Sequence, residues 1–520
     1  MSPPRLSDRT SALLRSAVLG GLVCFAALLS FHLRRAGHHE GDDFALYLRQ
    51  ARSLFDGDTG AVVADNRFSV LNSDPAFSPV AYPWGWPLLL SPFVHVWGFD
   101  YDRLKLVEIV AFCLWLVLLH GIVRRRLGRI VAAAVVAVVA TTPAFVEHTD
   151  QLLAEYPHMA AVGIVLWWHD RIRARSSLIT ATYRELVVLG LLVVAAFNIR
   201  RESVLLVVVI VMMQLVDVWR DAGGRRPAAP TGYLRNSWRA LVTPAASFAI
   251  GAVVVQLLLP TELLPDNGND PGFIDDRWRE APQIVSRQLA LGEHPYLGSA
   301  IILIALAGAV VGVRRRPVLD TPLLLLALFT AVVIGTHFRR IDRYWLQVTP
   351  WLVFFIAGAF VAVAQFAIGR WFAPSGDRSA RRAAIESAVA VVPLAALVVG
   401  HLAVLPGKVA ETRDANAAGV VQDGPAHPAV VEMITAVGEV TPPDAVMTFY
   451  RARTMTLLTD RRSIQTRDAE RIRSDSDYWV QRREWSFWQP DLDEAAVRDL
   501  GFVEVWSNGR YVIWCTDCSD

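Results

Sequence analysis

Residues Gly41-Asp42-Asp43-Phe44-Ala45-Leu46-Tyr47 directly follow the first apolar segment of the chain. Two adjacent carboxylates therefore stand where a hydrophobic stretch ends. Charged side chains at the edge of a lipid bilayer are costly, and where they occur they often mark functional sites. The stretch indicates a membrane protein with chemistry at the boundary between lipid and water.

The composition of the whole chain agrees with a membrane protein. Of its 520 residues, 53% are hydrophobic and only 19% are charged, and the mean hydropathy is +0.35. Soluble domains carry about 25% charged residues. The formal net charge is +2, and the arginines are scattered among apolar segments instead of forming one basic face. Nucleic-acid binding is therefore not expected, and membrane lipids are the expected surroundings.

Apolar runs bounded by arginines predict about eleven membrane-spanning helices, each near the roughly 17–25 residues that a crossing requires. Alternate loops carry arginine clusters, at 124–126, 171–175, 220–239 and 314–316, and at Arg378 with Arg381 and Arg382. The positive-inside rule places these loops, and with them the N-terminus, in the cytoplasm. Residues 18–33 can also be interpreted as a signal peptide, but no clean cleavage site follows, so we treat them as the first span. The predicted spans centre near Val23, Leu114, Val136, Ile164, Val193, Val208, Val253, Leu306, Leu326, Phe355 and Val391.

The end of the chain is expected to form a separate domain. An odd number of spans places it outside the cytoplasm, and the hydrophobic spans stop near residue 405. We therefore predict a transmembrane domain over residues 1–404 and a small extracytoplasmic domain over residues 405–520. The strand-like runs 446–450 and 503–506 predict a mixed α/β fold for the second domain.

Two further patterns concern the same domain. Asn508-Gly509 predicts a hairpin turn that leads into another strand. The chain closes with Cys515 and Cys518. In an oxidising compartment we expect these two thiols to form a local disulfide, and one such pair is too small for a zinc site.

The first outer loop, from about Arg34 to Asp102, is far longer than a simple connection. It contains two apolar stretches, Phe44 to Phe55 and Trp86 to Trp97, that are too short to span a bilayer. Both carry aromatic side chains, which favour the membrane interface. We expect both stretches to be helices lying on that interface.

Several arginines break the charge pattern, because they fall on the predicted outer side. Arg200 and Arg201 form one group, and Arg340 and Arg343 belong to the other. A guanidinium group matches a phosphate in charge and geometry, so phosphate binding is one interpretation. Salt bridges to neighbouring acids and contacts with lipid headgroups are the others.

Acidic residues also concentrate on the outer side, with Asp42 and Asp43 in the first loop and Glu155 in the second. A carboxylate beside a phosphate site suits transfer to a hydroxyl, since a base must take the proton of the acceptor. Either Asp42 or Asp43 can instead cap the helix that begins near Phe44. Acids and arginines on one rim together are a stronger signal than either group alone.

These residues carry a family resemblance. The run Asp43-Phe44-Ala45-Leu46-Tyr47, with Ala51, Leu54 and Gly57, resembles the first outer-loop motif of GT-C-type glycosyltransferases that use polyprenyl-phosphate sugars. That superfamily includes protein mannosyltransferases and the lipid A aminoarabinose transferase. Further similar segments are Tyr82 to Leu90, Leu153 to Pro157, Arg200-Arg201-Glu202, Arg343-Tyr344 and Pro442 to Val446.

The resemblance implies an α-helical polytopic membrane protein with a small outer α/β domain. It implies transfer of a sugar from a polyprenyl-phosphate donor to a lipid, glycan or protein acceptor, at the outer face of a bacterial cytoplasmic membrane. Asp43 occupies the position of the family's aspartate, and Phe44 replaces the usual second acid. The spacing therefore favours Asp43 as the general base, with Asp42 as its rival.

The resemblance also assigns the remaining roles. Glu155 is expected to position the base or the acceptor. The expected phosphate-binding residues are Arg200, Arg201, Arg340 and Arg343, and the loop residues near the substrate are Tyr47, Tyr82 and Tyr344.

Two matters stay open from the sequence. Arginine can neutralise a departing phosphate without a metal, but the acidic loops can equally hold a divalent cation, so no cofactor is assigned. The rival function is a transporter or flippase for a lipid-linked sugar, which needs the arginines but no base. Its usual sign, broken spans in two similar halves, is not visible. A third function is that of a non-catalytic assembly or sensory protein with an outer binding domain, against which the long two-helix first loop counts.

Overall fold

The computed structural model describes residues 8–74, 77, 79–221, 230–261, 274–337, 341–371 and 379–518. This part of the chain is mostly helical. The helices up to residue 417 are α1 Asp8–His32, α2 Asp43–Asp56, α3 Thr59–Asn72, α4 Gly85–Trp97, α5 Tyr101–Leu127, α6 Arg129–Thr141, α7 Pro143–His148, α8 Glu155–Arg173, α9 Tyr183–Phe197, α10 Val204–Asp221, α11 Pro230–Leu258, α12 Ile274–Gln288, α13 Pro295–Arg315, α14 Pro317–Thr336, α15 Thr349–Trp371 and α16 Ser379–Ala417.

The predicted spans are confirmed as helices, and the protein is a multi-pass membrane protein. Each predicted centre lies within one of α1, α5, α6, α8–α11 and α13–α16. Among the described residues, seven helices are long and apolar enough to cross a membrane, namely those in α5, α10, α11 and α13–α16. The other four predicted centres lie in α1, α6, α8 and α9.

One of those four helices, α6, is shorter than the sequence suggested. It has 13 residues, which at about 1.5 Å per residue cover about 20 Å, less than the roughly 30 Å hydrocarbon core. Thr142 ends α6 with extended backbone angles, and Pro143 begins α7. A residue before proline is sterically driven out of the helical region, so the chain bends here.

Four of the five loops predicted to be cytoplasmic meet at one end of the helices. Arg126 of α5 pairs with Asp170 of α8 and with Asp320 of α14, and Arg173 pairs with Asp217. Both α5 and α8 therefore run from the end that carries the predicted site to this far end. The structure thus groups the loops as expected, while the side of the membrane on which they lie stays a prediction.

The first outer loop contains the two expected helices, α2 and α4, and also α3, which the sequence pattern missed. Phe44, Leu48 and Ala51 of α2 pack with Trp86 and other residues of α4 in one apolar cluster. This packing holds the N-terminal end of α2, with its two aspartates, against the helical part of the protein. The exposed flank of α4 carries apolar side chains, namely Leu88, Leu89 and Val96.

The C-terminal part forms an α/β domain with a five-stranded sheet, as predicted. The strand order is β2-β1-β3-β5-β4; β2, β1 and β3 are parallel, while β5 is antiparallel to β3 and β4. The sequence missed β2 and β3. The elements are α17 Pro428–Val440, β1 Met447–Phe449, α18 Ala452–Thr459, β2 Ser463–Ile464, α19 Ala469–Asp475, β3 Tyr478–Arg482, α20 Glu494–Asp499, β4 Val503–Ser507 and β5 Tyr511–Cys515.

Alternation along the strands gives this domain a core on each face of its sheet. Val480 and Ile513 pack toward α17 and α18, whereas Trp479 and Trp514 pack toward α19 and α20. Cys515 and Cys518 form the expected disulfide. Helix α16 runs without a break to Ala417, so the predicted boundary at residues 404 and 405 falls inside a helix.

Candidate active site

Asp43, the first residue of α2, is held by two partners from distant parts of the chain. The Tyr82 hydroxyl donates a hydrogen bond to its Oδ1 at 2.6 Å. Arg343, in the 3₁₀ segment Asp342–Gln347, donates from Nη2 to its Oδ2 at 2.6 Å. The Asp43 side chain keeps 22% of its surface exposed. A carboxylate that is both oriented and accessible can accept a proton from a bound molecule.

Glu155 lies behind this pair, at the start of α8, and its side chain is only 1% exposed. Its Oε1 accepts from Arg200 Nη1 at 2.9 Å and lies 3.3 Å from Arg343 Nε. Arg343 therefore bridges Asp43 and Glu155. A buried carboxylate requires such partners, because an unpaired charge in this position would be strongly unfavourable.

Arg200 and Arg343 share a second neighbour, the ring of Tyr344, with guanidinium carbons 5.3 and 5.6 Å from its centroid. Arg200 also donates to Glu202 at 2.8 Å. Burial opposes their charge, yet the facing carboxylates raise the pKa of Arg200 and of Arg343 above the usual arginine range. Both side chains are therefore permanent cations at this site.

Three buried polar atoms around Glu155 have no hydrogen-bond partner within the described part of the chain. They are Glu155 Oε2, His148 Nε2 and Arg343 Nε. His148 Nε2 is 3.5 Å from Glu155 Oε2, which is an ion-pair distance without a hydrogen bond. Buried polar groups are nearly always satisfied in proteins, so these three atoms rely on the ion pairs that they make with one another's side chains.

A cavity of about 380 Å³ opens in front of Asp43. Asp43, His148 and Arg343 line it from the membrane part of the protein. The C-terminal domain supplies the opposite wall, through Arg451, Arg453, Gln465 and Trp488. The cavity is therefore formed by both parts of the chain.

Asp42 also lines the cavity, but its carboxylate serves the domain contact. Its Oδ1 accepts from the backbone N–H of Thr454 at 3.3 Å. The Gln465 side chain, with its amide turned so that both its oxygen and its nitrogen have partners, donates from that nitrogen to Asp42 Oδ2 at 3.2 Å. Burial raises the pKa of Asp42. Asp42 occupies the N-cap position of α2 without a side-chain capping bond, so the capping interpretation does not describe the contacts it makes.

Sequence reasoning missed the contribution of α18. Arg453 donates to the Asn66 Oδ1 at 3.1 Å, and its Nη1 lies 3.4 Å from the Tyr82 hydroxyl that holds Asp43. Arg451 pairs with Glu40 of the first loop at 3.5 Å. The available signal was a pair of arginines directly after a predicted strand, in a segment assigned to the outer side.

The other predicted residues divide. The Tyr47 ring packs on the Tyr82 ring with centroids 4.4 Å apart, and so supports the tyrosine that donates a hydrogen bond to Asp43. Arg201 points elsewhere: it packs over Phe197 and donates to the Thr261 hydroxyl at 3.1 Å, away from Glu155. Arg340 lies outside the described residues. Within those residues, no group of three His, Cys, Asp or Glu side chains is arranged to hold a metal.

The overall structure is similar to solved structures of known proteins. No family model and no curated protein sequence matches the chain. The structure is similar to that of ArnT from Cupriavidus metallidurans bound to undecaprenyl phosphate, with TM-score 0.54, 14% identity and 99% of each chain covered. The apo state of ArnT gives TM-score 0.51 and 13% identity, with 96% of this chain and 98% of that chain covered.

An oligosaccharyltransferase from Archaeoglobus fulgidus, tethered with an acceptor peptide that contains the NVT sequon, is also similar. Its TM-score is 0.51 at 11% identity, and the match covers 90% of this chain and 69% of that chain. At these identities the likeness concerns the fold. The chain therefore has the fold of ArnT and of this oligosaccharyltransferase, in agreement with the fold that the resemblance of its sequence motifs implied.

Proposed function

We propose that the protein transfers a hexose or pentose from a polyprenyl-phosphate donor to an acceptor hydroxyl at the outer face of the cytoplasmic membrane. The observation that carries this proposal is the bridge made by Arg343 between Asp43 and Glu155 at a shared cavity. In this proposal Asp43 is the base and Arg343 the phosphate-binding cation, and their contact supports both roles. The GT-C fold, similar over full length to ArnT bound to undecaprenyl phosphate, supports the same function.

The base in this proposal is Asp43. The acceptor oxygen attacks the anomeric carbon, the bond from that carbon to the phosphate oxygen breaks, and the proton of the acceptor passes to the carboxylate. Asp43 is accessible from the cavity and oriented by Tyr82. Asp42 is a weaker candidate, because both of its oxygens face the C-terminal domain.

The arginines stabilise the leaving group. A phosphodiester with one negative charge becomes a phosphate monoester with nearly two, so charge accumulates on the departing lipid phosphate. Arg343 and Arg200 are fixed cations, and fixed charges aimed at developing charge lower the barrier without reorganisation. A bound phosphate would compete with Asp43 and Glu155 for Arg343, which would leave Asp43 better able to accept a proton.

The donor has a polar head and a long apolar tail, and the surroundings of Arg200 suit both. Arg200 and Tyr344 line a small cavity of about 20 Å³ together with Val333 and Ile334 of α14. This volume holds about one water molecule, so the donor would bind at the mouth of the cavity and not within it. The phosphate would face the guanidinium group while the prenyl chain follows the apolar helix. Glu155 would position Arg200 and Arg343.

The experiment uses the full-length protein in nanodiscs with labelled polyprenyl-phosphate hexoses and pentoses. We expect one donor to lose its sugar to an acceptor extract or, more slowly, to water. A parallel assay in proteoliposomes measures movement of the same lipids between leaflets. Translocation without any cleavage of the sugar–phosphate bond would identify a flippase and overturn the proposal.

A further inference from the structure

The loop between β3 and α20 carries an unusual set of aromatic side chains, Trp485-Ser486-Phe487-Trp488. Trp488 lines the same cavity as Asp43 and Arg343. Phe487 packs edge-on against Trp488, with ring centroids 4.9 Å apart. The aromatic run therefore extends outward from the wall of the candidate active site.

The outer members of this run are exposed. Trp485 keeps 69% and Phe487 keeps 51% of its surface accessible. Large aromatic side chains usually bury most of their area, because that area is a major source of stability. Exposed aromatic groups next to a functional cavity mark a binding surface.

The loop is held rigidly across its base. Gln489 is buried, its Oε1 accepts from the Arg482 N–H at 3.0 Å, and its Nε2 donates to the Arg482 carbonyl at 2.7 Å. Arg482 in turn donates to Glu40 of the first loop at 3.0 Å. The aromatic groups are thus fixed relative to the helix that carries Asp43, and such preorganisation favours binding.

The neighbours of the aromatic groups are polar and charged. Glu484 precedes Trp485, Ser486 separates the two exposed rings, and the Arg467 guanidinium lies 4.6 Å from the Phe487 centroid. Aromatic residues also favour the membrane interface, but a segment that inserts into lipid combines them with aliphatic residues. Residues 482–491 contain no Ala, Val, Leu, Ile or Met. Flat apolar rings surrounded by hydrogen-bonding groups match a sugar ring instead, which has an apolar C–H face and a rim of hydroxyl groups.

We propose that residues Trp485, Phe487 and Trp488 form a platform that binds a saccharide of the acceptor. The platform would place that saccharide against the cavity wall opposite Arg343, so that one of its hydroxyl groups can approach Asp43. This proposal rests on the proposed function for its placement in a reaction, but it makes a binding claim of its own. The acceptor is then a glycan or a glycolipid, not a peptide.

Binding is tested with the full-length protein in nanodiscs, applied to arrays of soluble mannan, galactan, arabinan and peptidoglycan fragments, and to a peptide array. The double variant Trp485→Ala/Phe487→Ala should bind the best saccharide at least about tenfold more weakly, since two stacking contacts are lost. The control is Tyr183→Ala, an exposed aromatic (71%) at the far end of α9. Equal saccharide binding by both variants, or retention of peptides alone, would overturn the platform.

A second measurement separates this proposal from the proposed function. The double variant should keep wild-type donor affinity and melting temperature, while its KM for the acceptor saccharide rises about tenfold or more. Saccharide binding that depends on the loop in a protein without transferase activity would support the platform and remove the proposed function. If the double variant transfers sugar normally with an unchanged acceptor KM, the proposed function is supported and the platform is overturned.

The saccharide can be free or attached to a lipid, and the same variants distinguish the two. We expect the double variant to bind a soluble oligosaccharide and its prenyl-linked form more weakly by the same factor, because the rings contact only sugar. Weaker binding of the lipid-linked form alone would assign the loop to lipid binding and overturn the proposal.

Discussion

Two clusters of arginine and acid lie at opposite ends of α8. The site cluster contains Asp43, Glu155, Arg200 and Arg343. The far-end cluster contains Arg126, Asp170, Arg316 and Asp320. Both are built from the same residue types, and both join helices that are distant in sequence.

Their surroundings differ. In the far-end cluster the side chains of Arg126 and Asp170 are 0% and 1% exposed, and Arg126 donates to both carboxylate oxygens of Asp170 at 2.5 and 3.0 Å. Further Arg126 donors reach the carbonyls of Ile122 and Leu319. In the site cluster Arg343 and Asp43 are each 22% exposed and face a cavity. Charge pairs of one type therefore join buried helix ends in one place and line an open cavity in another, and the difference between them is access to the cavity.

The largest effect is expected at the exposed carboxylate. Asp43→Asn should reduce sugar transfer about 10²–10⁴-fold, because an amide cannot take the proton of the acceptor. Donor affinity should stay near the wild-type value. Initial rates with a labelled donor, together with a donor-binding titration, measure both quantities.

Asp42→Asn is the matched control for that variant. It changes the neighbouring carboxylate, whose contacts go to Thr454 and Gln465, so we expect a much smaller loss of rate. If Asp42→Asn is inactive and Asp43→Asn is active, the two assignments must be exchanged. If both variants transfer sugar normally, the mechanism is wrong.

In the far-end cluster a substitution should lower the stability of the protein instead of the rate of sugar transfer. Arg126→Ala leaves Asp170 buried without its main partner, and breaking a buried pair in this way typically costs about 3–5 kcal/mol. We expect a lower melting temperature in detergent and an unchanged donor affinity. Adding Asp170→Asn should recover part of the loss, because the uncompensated charge is removed. A stable Arg126→Ala protein with impaired donor binding would erase the distinction between the clusters.

Arg343→Ala is expected to have an intermediate effect on binding. A hydrogen bond to a charged group contributes about 1.5–3 kcal/mol, so donor affinity should fall roughly 10–100-fold and turnover should fall with it. Arg201→Ala is the control, since Arg201 contacts Phe197 and Thr261 away from Glu155. Equal donor affinity in the two variants would return Arg343 to a structural role.

The smallest effect is expected at a third, partly exposed set of charges that joins the two parts of the protein. Glu40 is 20% exposed and accepts from Tyr450 at 2.9 Å and from Arg482 at 3.0 Å. Glu40→Gln keeps the shape but weakens the charge-assisted bonds, so we expect a loss of roughly 1 kcal/mol. Limited proteolysis of the C-terminal domain should become faster. Unchanged proteolysis would show that other contacts hold the domains together.

The comparison also explains why the sequence located one cluster as a site and not the other. Arg200 and Arg343 stood out because the predicted outer side is otherwise poor in arginine, and Asp43 stood out because paired carboxylates follow the first apolar segment. Arg126 lies in an arginine run that the positive-inside rule already accounts for. Nothing in the pattern around Arg126 indicated that its side chain is fully buried, since burial at a helix end depends on which helices pack beside it.

Arg201 illustrates the limit of short motifs. It is adjacent to Arg200 in sequence and was assigned the same role, yet the two side chains leave the 3₁₀ turn in different directions. Arg453 illustrates the opposite error. It contacts Tyr82, the hydrogen-bond donor to Asp43, across a sequence separation of 371 residues, so no local pattern linked it to the site.

The sequence by itself determined the membrane helices and three of the five strands. Apolar length predicted each membrane helix, alternation and turn residues predicted three of the strands, and the motif spacing favoured Asp43 over Asp42. These properties are local, because helix length, strand period and turn chemistry depend on residues that are near neighbours in the chain.

Only the tertiary structure decided which of these residues meet. It joined Asp43 to Arg343, 300 residues away, turned Asp42 toward the C-terminal domain, and set the aromatic loop beside the cavity. Such contacts follow from the packing of α2 on α4 and of α18 on the first loop. Packing is a property of surfaces that are far apart in sequence, and it is packing that converts a set of charged residues into a site.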